Sequence, residues 1–541
     1  MSEKDLRASL AYEPRPLRFG TSGRRGDVAD LTQLEIYLNA LAELEYLQSL
    51  PPAQGGIRRG DPFYYAYDLR PSSTRYVPEQ GGRGELAQAI DRALRDAGMR
   101  PVNLGPLPTP ALTYFAIERG QGSIMITGSH IPFERSGYKT NTSRGELLKQ
   151  DEAPINRRVE AVRERLYRQP FSQSLFNEQG LFKTGPQHLP PADAQGAAAY
   201  LRRYAEFFRG RSLASQRLLV YQHSAVGRDL LVEMLNTFGA HVIPTGRSET
   251  FVPIDTENID EAARARVQAL VNAAAAQGGP IDAVLSTDGD SDRPLILGVD
   301  RAQAVFFGGD LVGMIVAQFL GADAVVVPIS CNDAIDRGPL RAALEPKTRI
   351  GSPFVIAGME RARARGRRAV CGWEANGGFL LGSDLQRAGR VLRALPTRDA
   401  MLPILAVLFA ATEKGLPLAA LFAGLPRRFS RAALLRNFPR PVSLNILQQF
   451  SPDNPQIRAR LAEFFTPALG FGAISRIDYT DGVRVSFDNG DVAHVRPSGN
   501  ADELRSYAGA DTQARADAIA RLGVAEPDGI LRRMERAFGQ K

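Results

Sequence analysis

Cysteine is scarce in this chain: 541 residues hold two, Cys331 and Cys371. Two thiols make no disulfide framework, so packing must hold the fold together, and a reducing compartment fits. A long apolar run is also lacking. The longest, around Met401 to Ala411, is far too short to span a bilayer. The opening Met1-Ser2-Glu3-Lys4-Asp5 is polar and carries no signal-peptide core. The expectation is a soluble cytoplasmic protein with no membrane partner. Runs of Lys and Arg interleaved with aromatics do not occur, which sets nucleic acid aside. What is present is ordinary in bulk: 44% hydrophobic and 23% charged residues, with a net charge of +8. That excess fits either a mildly basic surface or a cleft lined with Arg and Lys that draws in anionic substrates. The length exceeds one core and predicts roughly three to five domains.

Strand and helix patterns alternate along most of the chain. Strands are expected at 63–68, 102–105 and 123–126, with helices at 84–98 and 111–118. The order then restarts, with helix 197–208, strand 217–222, helix 229–238, strand 241–244, helix 262–276 and strand 283–286. A third round has helix 310–320, strand 324–329, helix 355–365 and strand 368–371. Such alternation predicts α/β domains with mixed, mostly parallel sheets. Near the C-terminus, Asp481-Gly482 and Asn489-Gly490 separate short strands, a strong hairpin signal, and a helix is expected from Ala501. The expected domains are 1–190, 191–304, 305–432 and an α+β domain at 433–541. Linkers are expected at 180–196 and 435–455.

Ligands of open α/β sheets bind beyond the carboxyl ends of strands. Reading just past the expected strands picks out three loops. Thr127 to Lys139 offers the Ser129 hydroxyl, the His130 imidazole beside it and the Lys139 ammonium; the alternative is a polar turn. A serine needs a base or cation to become nucleophilic. Asp288-Gly289-Asp290-Ser291-Asp292-Arg293 sets three carboxylates at alternate positions, which repel unless a cation intervenes, and all-oxygen ligands suit Mg²⁺. A calcium EF-hand loop fails because Arg293 stands where Gly is needed and Val299 where Glu is needed. In Gly372 to Gly378, Glu374 and Asn376 can bond vicinal hydroxyls, while Trp373 could stack on a ring or pack in the core. A fourth segment, Arg496 to Arg505, reads as a strand leading into a helix start. Its guanidinium, the Ser498 hydroxyl and a Gly backbone N–H suit an anion, and Ser498 or Asn500 could equally be a helix cap.

Taken together, these residues resemble the α-D-phosphohexomutase family, the phosphoglucomutases and phosphomannomutases. Phe19 to Gly26 resembles its N-terminal signature and Tyr67 to Ser73 its next strand and loop. Thr127 to Pro132 is similar to the phosphoserine loop T-A-S-H-N-P, Asp288 to Arg293 to the metal loop, Glu374 to Gly377 to the sugar loop, and Arg496 to Asn500 to the phosphate loop R-x-S-G-T. The motifs run in order over nearly the whole chain.

The resemblance implies four domains around a central cleft and a mutase acting on mannose or glucose phosphates through a sugar 1,6-bisphosphate, which also serves as activator. It implies a phosphoserine at Ser129; Mg²⁺ held by Asp288, Asp290, Asp292 and that phosphate; and Arg25, Lys139 and Arg293 near the transferred group, with Lys139 moving a proton. It further implies that Glu374, Asn376 and Gly377 hold the sugar and that Arg496, Ser498, Gly499, Asn500 and Arg505 hold the other phosphate. A monomer or small homo-oligomer is expected. Asn376, Asn500, Ile131 and Pro294 depart from the usual pattern, and Ser352 stands where relatives often carry a basic residue that helps select the sugar. Phosphoglucosamine mutase, a sugar bisphosphate synthase and a non-catalytic sugar-phosphate sensor are the alternatives.

Overall fold

The protein is described from a computed structural model covering residues 4–78, 83–257, 259–498 and 502–539. Three mixed sheets follow one another along the chain, and each repeats one local plan. In the first, strand Pro62–Tyr67 lies between and parallel to Arg100–Pro106 and Ser123–Ile126. The chain then turns back, and Arg135–Thr142 runs antiparallel to Ser123–Ile126 and to Arg24–Asp27. In the second, His241–Arg247, Arg217–His223 and Ala283–Thr287 are parallel, and Pro294–Asp300 returns antiparallel. In the third, Ala324–Val326 and Val370–Trp373 are parallel, and Phe379–Leu381 returns antiparallel. The three returning strands are the elements that β-α alternation does not predict.

The fourth sheet is wholly antiparallel, in the order 429–436, 503–510, 492–497, 483–487 and 474–478. The helix expected from Ala501 is not there. Glu503–Ala510 is a strand, and the helix is Gln513–Val524, capped by the Thr512 hydroxyl. Alternate residues Leu504, Ser506, Ala508 and Ala510 are buried. Pairing on both sides thereby overrides the helical propensity of the segment's start. The expected linker at 435–455 contains the helix Arg440–Gln448, while 180–196 is largely irregular before the helix that begins at Gln195. The boundaries expected after residues 304 and 432 fall inside strands Gln303–Phe306 and Phe429–Arg436.

One apolar core runs through the first three units, joining Met125 and Phe115 to Leu218 and Leu285 and on to Leu381 and Phe409. The fourth unit has its own core around Phe450, Val485 and Met534. Cys331 and Cys371 are buried free thiols. Among the described residues no helix is long and apolar enough to cross a membrane.

Candidate active site

Strand alternation aims the charged side chains. Successive residues of a strand face opposite sides. Arg24 points inward, where buried Glu43 accepts from its Nε at 2.6 Å and from the Thr140 hydroxyl at 2.5 Å. That pair fixes the strand so that Arg25 faces the cleft. In the same way Tyr138 enters the core and Lys139 lines the cleft. Lys139 therefore belongs to the returning strand rather than to the loop.

Ser129 sits in the turn between Ser123–Ile126 and Arg135–Thr142 with φ of 52°, an uncommon backbone state for a non-glycine residue and one that collects at functional sites. The Thr127 hydroxyl accepts from its N–H at 2.7 Å, and Arg70 donates to four carbonyls of the turn, those of Ser129, Ile131, Pro132 and Arg135. Ser129 Oγ donates to Asp288 Oδ2 at 2.7 Å, and His130 Nδ1 lies 3.5 Å from it. Burial, then the positive charges of Arg293 and Arg505, hold His130 well below its ordinary pKa and so neutral.

Asp288, Asp290 and Asp292 occupy the equivalent turn of the second unit. Their oxygens lie within 4.8 Å of one another, and all three are buried. Burial, then the charges of Asp290 and Asp292, push Asp288 well above the carboxylate range. Burial also opposes ionisation of Asp292, but Arg398, Lys139 and Arg293 outweigh it. Lys139 Nζ stands 3.1 Å from Asp290 Oδ2 and 2.8 Å from Asp292 Oδ2. Asp290 Oδ1 and Asp292 Oδ1 are buried without a hydrogen-bond partner. Buried acceptors are normally satisfied. Two orphaned carboxylate oxygens in an all-oxygen cluster fit a hard divalent cation.

The third equivalent turn, between Val370–Trp373 and Phe379–Leu381, carries Glu374, Asn376 and Gly377. Glu374 lines the cleft and accepts from Arg398 Nη1 at 2.9 Å. Asn376 Oδ1 accepts from the Gly378 N–H at 3.0 Å, so its NH₂ is what remains for a ligand. Trp373 does not face the cleft. It is stacked parallel to Phe379 in the core and lies so close over Gly313 that a Cβ there would stand 2.3 Å from the indole.

Arg496 and Arg505 are directly opposed on neighbouring antiparallel strands. Like charges so placed repel; Asp481 Oδ1 lies 3.4 Å from Arg496 Nε and Glu503 Oε2 lies 3.1 Å from Arg505 Nη2, yet neither Nε makes a hydrogen bond. A bound anion would supply one and reduce the repulsion. Ser498 is buried beside them, its N–H donating to the Glu503 carbonyl at 2.8 Å. This loop joins two strands, so no helix N-terminus contributes. Gly499 and Asn500 lie outside the described residues.

One cleft brings these groups together, lined by Arg25, Ser129, His130, Lys139, Arg293, Glu374, Asn376, Arg398, Arg496, Ser498 and Arg505. Burial lowers the Arg25 pKa to about 10. Sequence spacing gives no role to Arg70 or Arg398. Arg70 lies within the Tyr67 to Ser73 segment, and Arg398 lies near the end of strand Leu395–Asp399, which has no counterpart among the expected strands.

Comparison with known proteins identifies the family. Family models of phosphoglucomutase/phosphomannomutase match at residues 16–166 (alpha/beta/alpha domain I), 308–429 (alpha/beta/alpha domain III) and 452–522 (C-terminal domain). A Sinorhizobium fredii phosphomannomutase is 36% identical over 514 residues, 94% of this chain and 98% of its own. The chain belongs to the phosphoglucomutase/phosphomannomutase family. A Salmonella muenchen phosphomannomutase is likewise 36% identical, over 92% of this chain and 93% of its own. The fold is shared with a Burkholderia thailandensis family member, at a TM-score of 0.63 and 19% identity, covering 96% of this chain and 97% of that one.

Proposed function

We propose that this protein interconverts hexose 1-phosphate and hexose 6-phosphate, mannose phosphate first among them, with Ser129 as phosphoryl carrier. One contact carries the reading: the Ser129 hydroxyl donating at 2.7 Å to Asp288, beside a cleft lined by Arg25, Lys139, Arg293, Arg496 and Arg505. In the first half-reaction the Oγ–P bond of phosphoserine breaks as a P–O bond to a sugar hydroxyl forms, and the proton the hydroxyl gives up is taken up by Ser129 Oγ. The bisphosphate then turns over in the cleft, and in the second half-reaction its other O–P bond breaks as the Oγ–P bond of Ser129 re-forms, the Oγ proton passing to the released sugar oxygen. Phosphoryl transfer rests on positioning and charge neutralisation, which Arg25, Lys139 and Arg293 supply. Asp288, Asp290 and Asp292 would hold Mg²⁺, which when bound supplies further neutralisation of the transferred group.

Arg496, Ser498 and Arg505 hold the non-reacting phosphate, joined by Gly499 and Asn500 on the family resemblance, while Glu374, the Asn376 NH₂ and the Gly377 backbone hold the sugar. Lys139 Nζ stands between Asp290 and Asp292 and serves as a charge stabiliser. The neutral His130 imidazole is placed to accept the hydroxyl proton. Mannose is favoured because the two relatives at 36% identity are named phosphomannomutases.

The test primes purified protein with glucose 1,6-bisphosphate and follows mannose, glucose and glucosamine 1-phosphates separately. Intact mass should show one added phosphoryl group that phosphatase removes. Ser129→Ala should abolish that mass and lower turnover by about 10³-fold or more. Near-normal turnover in Ser129→Ala would refute the carrier role, and bisphosphate accumulating without isomer would favour the synthase.

A further inference from the structure

We infer that Arg398 is a positioning residue that locks the metal loop to the sugar loop and thereby sets which sugar is accepted; the inference rests on the mutase reading above. Arg398 is the most heavily engaged cation of the cleft. Its side chain is 4% exposed. Nε and Nη2 both donate to Asp292 Oδ2, at 3.0 and 2.9 Å, while Nη1 donates to Glu374 Oε2 at 2.9 Å and to Ser352 Oγ at 3.3 Å. One planar guanidinium thus joins the aspartate loop of the second sheet, the Glu374 loop of the third and the first residue of helix Ser352–Ala364. A lysine has neither the fork nor the plane to do so.

The surroundings are built for this side chain. Ser352 Oγ donates to Glu146 Oε2 at 2.6 Å, and Thr397 Oγ1 donates to Glu146 Oε1 at 2.7 Å, so a buried carboxylate fixes both the serine and the strand that carries Arg398. Gly378 leaves the path open: a Cβ there would lie 2.4 Å from Arg398 Cδ.

Two consequences follow from the contacts. Arg398 occupies Oε2 of Glu374 and fixes the plane of its carboxylate, so Oε1 can meet a sugar hydroxyl in one direction only. Epimers that differ in that direction are then accepted unequally. Arg398 also places a full positive charge on Asp292 Oδ2, which lowers the affinity of the aspartate cluster for a divalent cation.

The experiment uses the full chain with Arg398→Gln and Arg398→Lys, folding checked by melting temperature. Mn²⁺ binding by calorimetry reads the metal side without reference to turnover. It should tighten by about tenfold in Arg398→Gln, since one neighbouring charge is removed, and remain near wild type in Arg398→Lys, which keeps the charge. Steady-state kinetics on mannose and glucose 1-phosphates read the sugar side. The ratio of their kcat/KM values should fall towards unity by about tenfold in both variants, because neither holds Glu374 in plane, with KM moving more than kcat. Unchanged Mn²⁺ affinity in folded Arg398→Gln, or an unchanged epimer ratio in both variants, overturns the inference. Failure of the mutase reading looks different: the wild-type protein would turn over neither sugar, while the Mn²⁺ comparison would still report on the Asp292 contact.

Discussion

At the scale of single residues, the site is held by arginines that touch no sugar. Arg70 organises the Ser129 turn by donating to four carbonyls while lying 3.3 Å from Asp68 and stacked on Phe251. Asp68 in turn accepts from the Thr127 hydroxyl at 2.8 Å, and Thr127 supports the Ser129 N–H. A planar five-donor head is what such a cluster of carbonyls requires. Arg70→Lys should therefore destabilise the protein by about 3 kcal/mol, the order expected when a buried ion pair loses its geometry. It should also slow phosphorylation of Ser129 by glucose 1,6-bisphosphate about tenfold or more. Urea unfolding and the rate of appearance of the phosphorylated mass check the two effects separately, and a wild-type rate would show that the turn keeps its shape without the fork.

At the scale of elements, the fourth sheet carries both Arg496 and Arg505 and a buried histidine. His494 Nε2 donates to the Asp481 carbonyl at 2.5 Å, and its Nδ1 has no partner. Burial lowers its pKa from 6.5 to about 4. Between those values the unfolded chain binds a proton that the folded one refuses. The stabilisation from neutral His494 is complete above about pH 6.5 and is lost as pH falls to about 4, a loss on the order of 3 kcal/mol. His494→Gln retains one donor for Asp481 and removes the titration, so the fall in melting temperature on acidification should be smaller than in wild type; equal falls would place the acid-sensitive group elsewhere. Elements were also where the sequence was most uneven as a guide. Strands such as Ser123–Ile126 and Val483–Phe487 were legible because each is a short apolar or alternating run bounded by turn residues. The returning strands Arg135–Thr142 and Pro294–Asp300 were not, the first because Ser136, Lys139, Thr140 and Asn141 are buried by polar and charged partners rather than by apolar character. The aspartate triplet was legible from its spacing alone. Arg398 was not, because its partners lie more than twenty residues away in sequence and meet only in the folded cleft.

At the scale of the whole molecule, the three loops and the fourth sheet surround a space lined by seven cationic side chains, Arg25, Arg135, Lys139, Arg293, Arg398, Arg496 and Arg505. Such a field draws a dianionic substrate in, and dissolved salt screens it. Raising salt from about 50 to about 500 mM should increase KM for a hexose phosphate several-fold while the melting temperature changes little; a KM indifferent to salt would mean that close contacts alone govern capture. The fourth unit meets the others through polar links. Arg484 pairs with Asp333, and the Ile350 N–H donates to Asp481 at 3.0 Å. Its separate core lets this wall of the cleft be removed without opening the apolar interior of the rest.

The three turns that carry the serine, the aspartates and the sugar-facing glutamate share one construction, each leaving the end of a parallel strand and returning antiparallel beside it. Both anchors of each turn lie in the same sheet, so each turn has its own frame, while Ser129, Lys139 and Arg398 bond across to the aspartates of the second. On the proposed function, carrier, counter-ion and acceptor recognition each have their own turn, and a change of sugar preference needs alteration of one of them together with the arginine that ties it to the next.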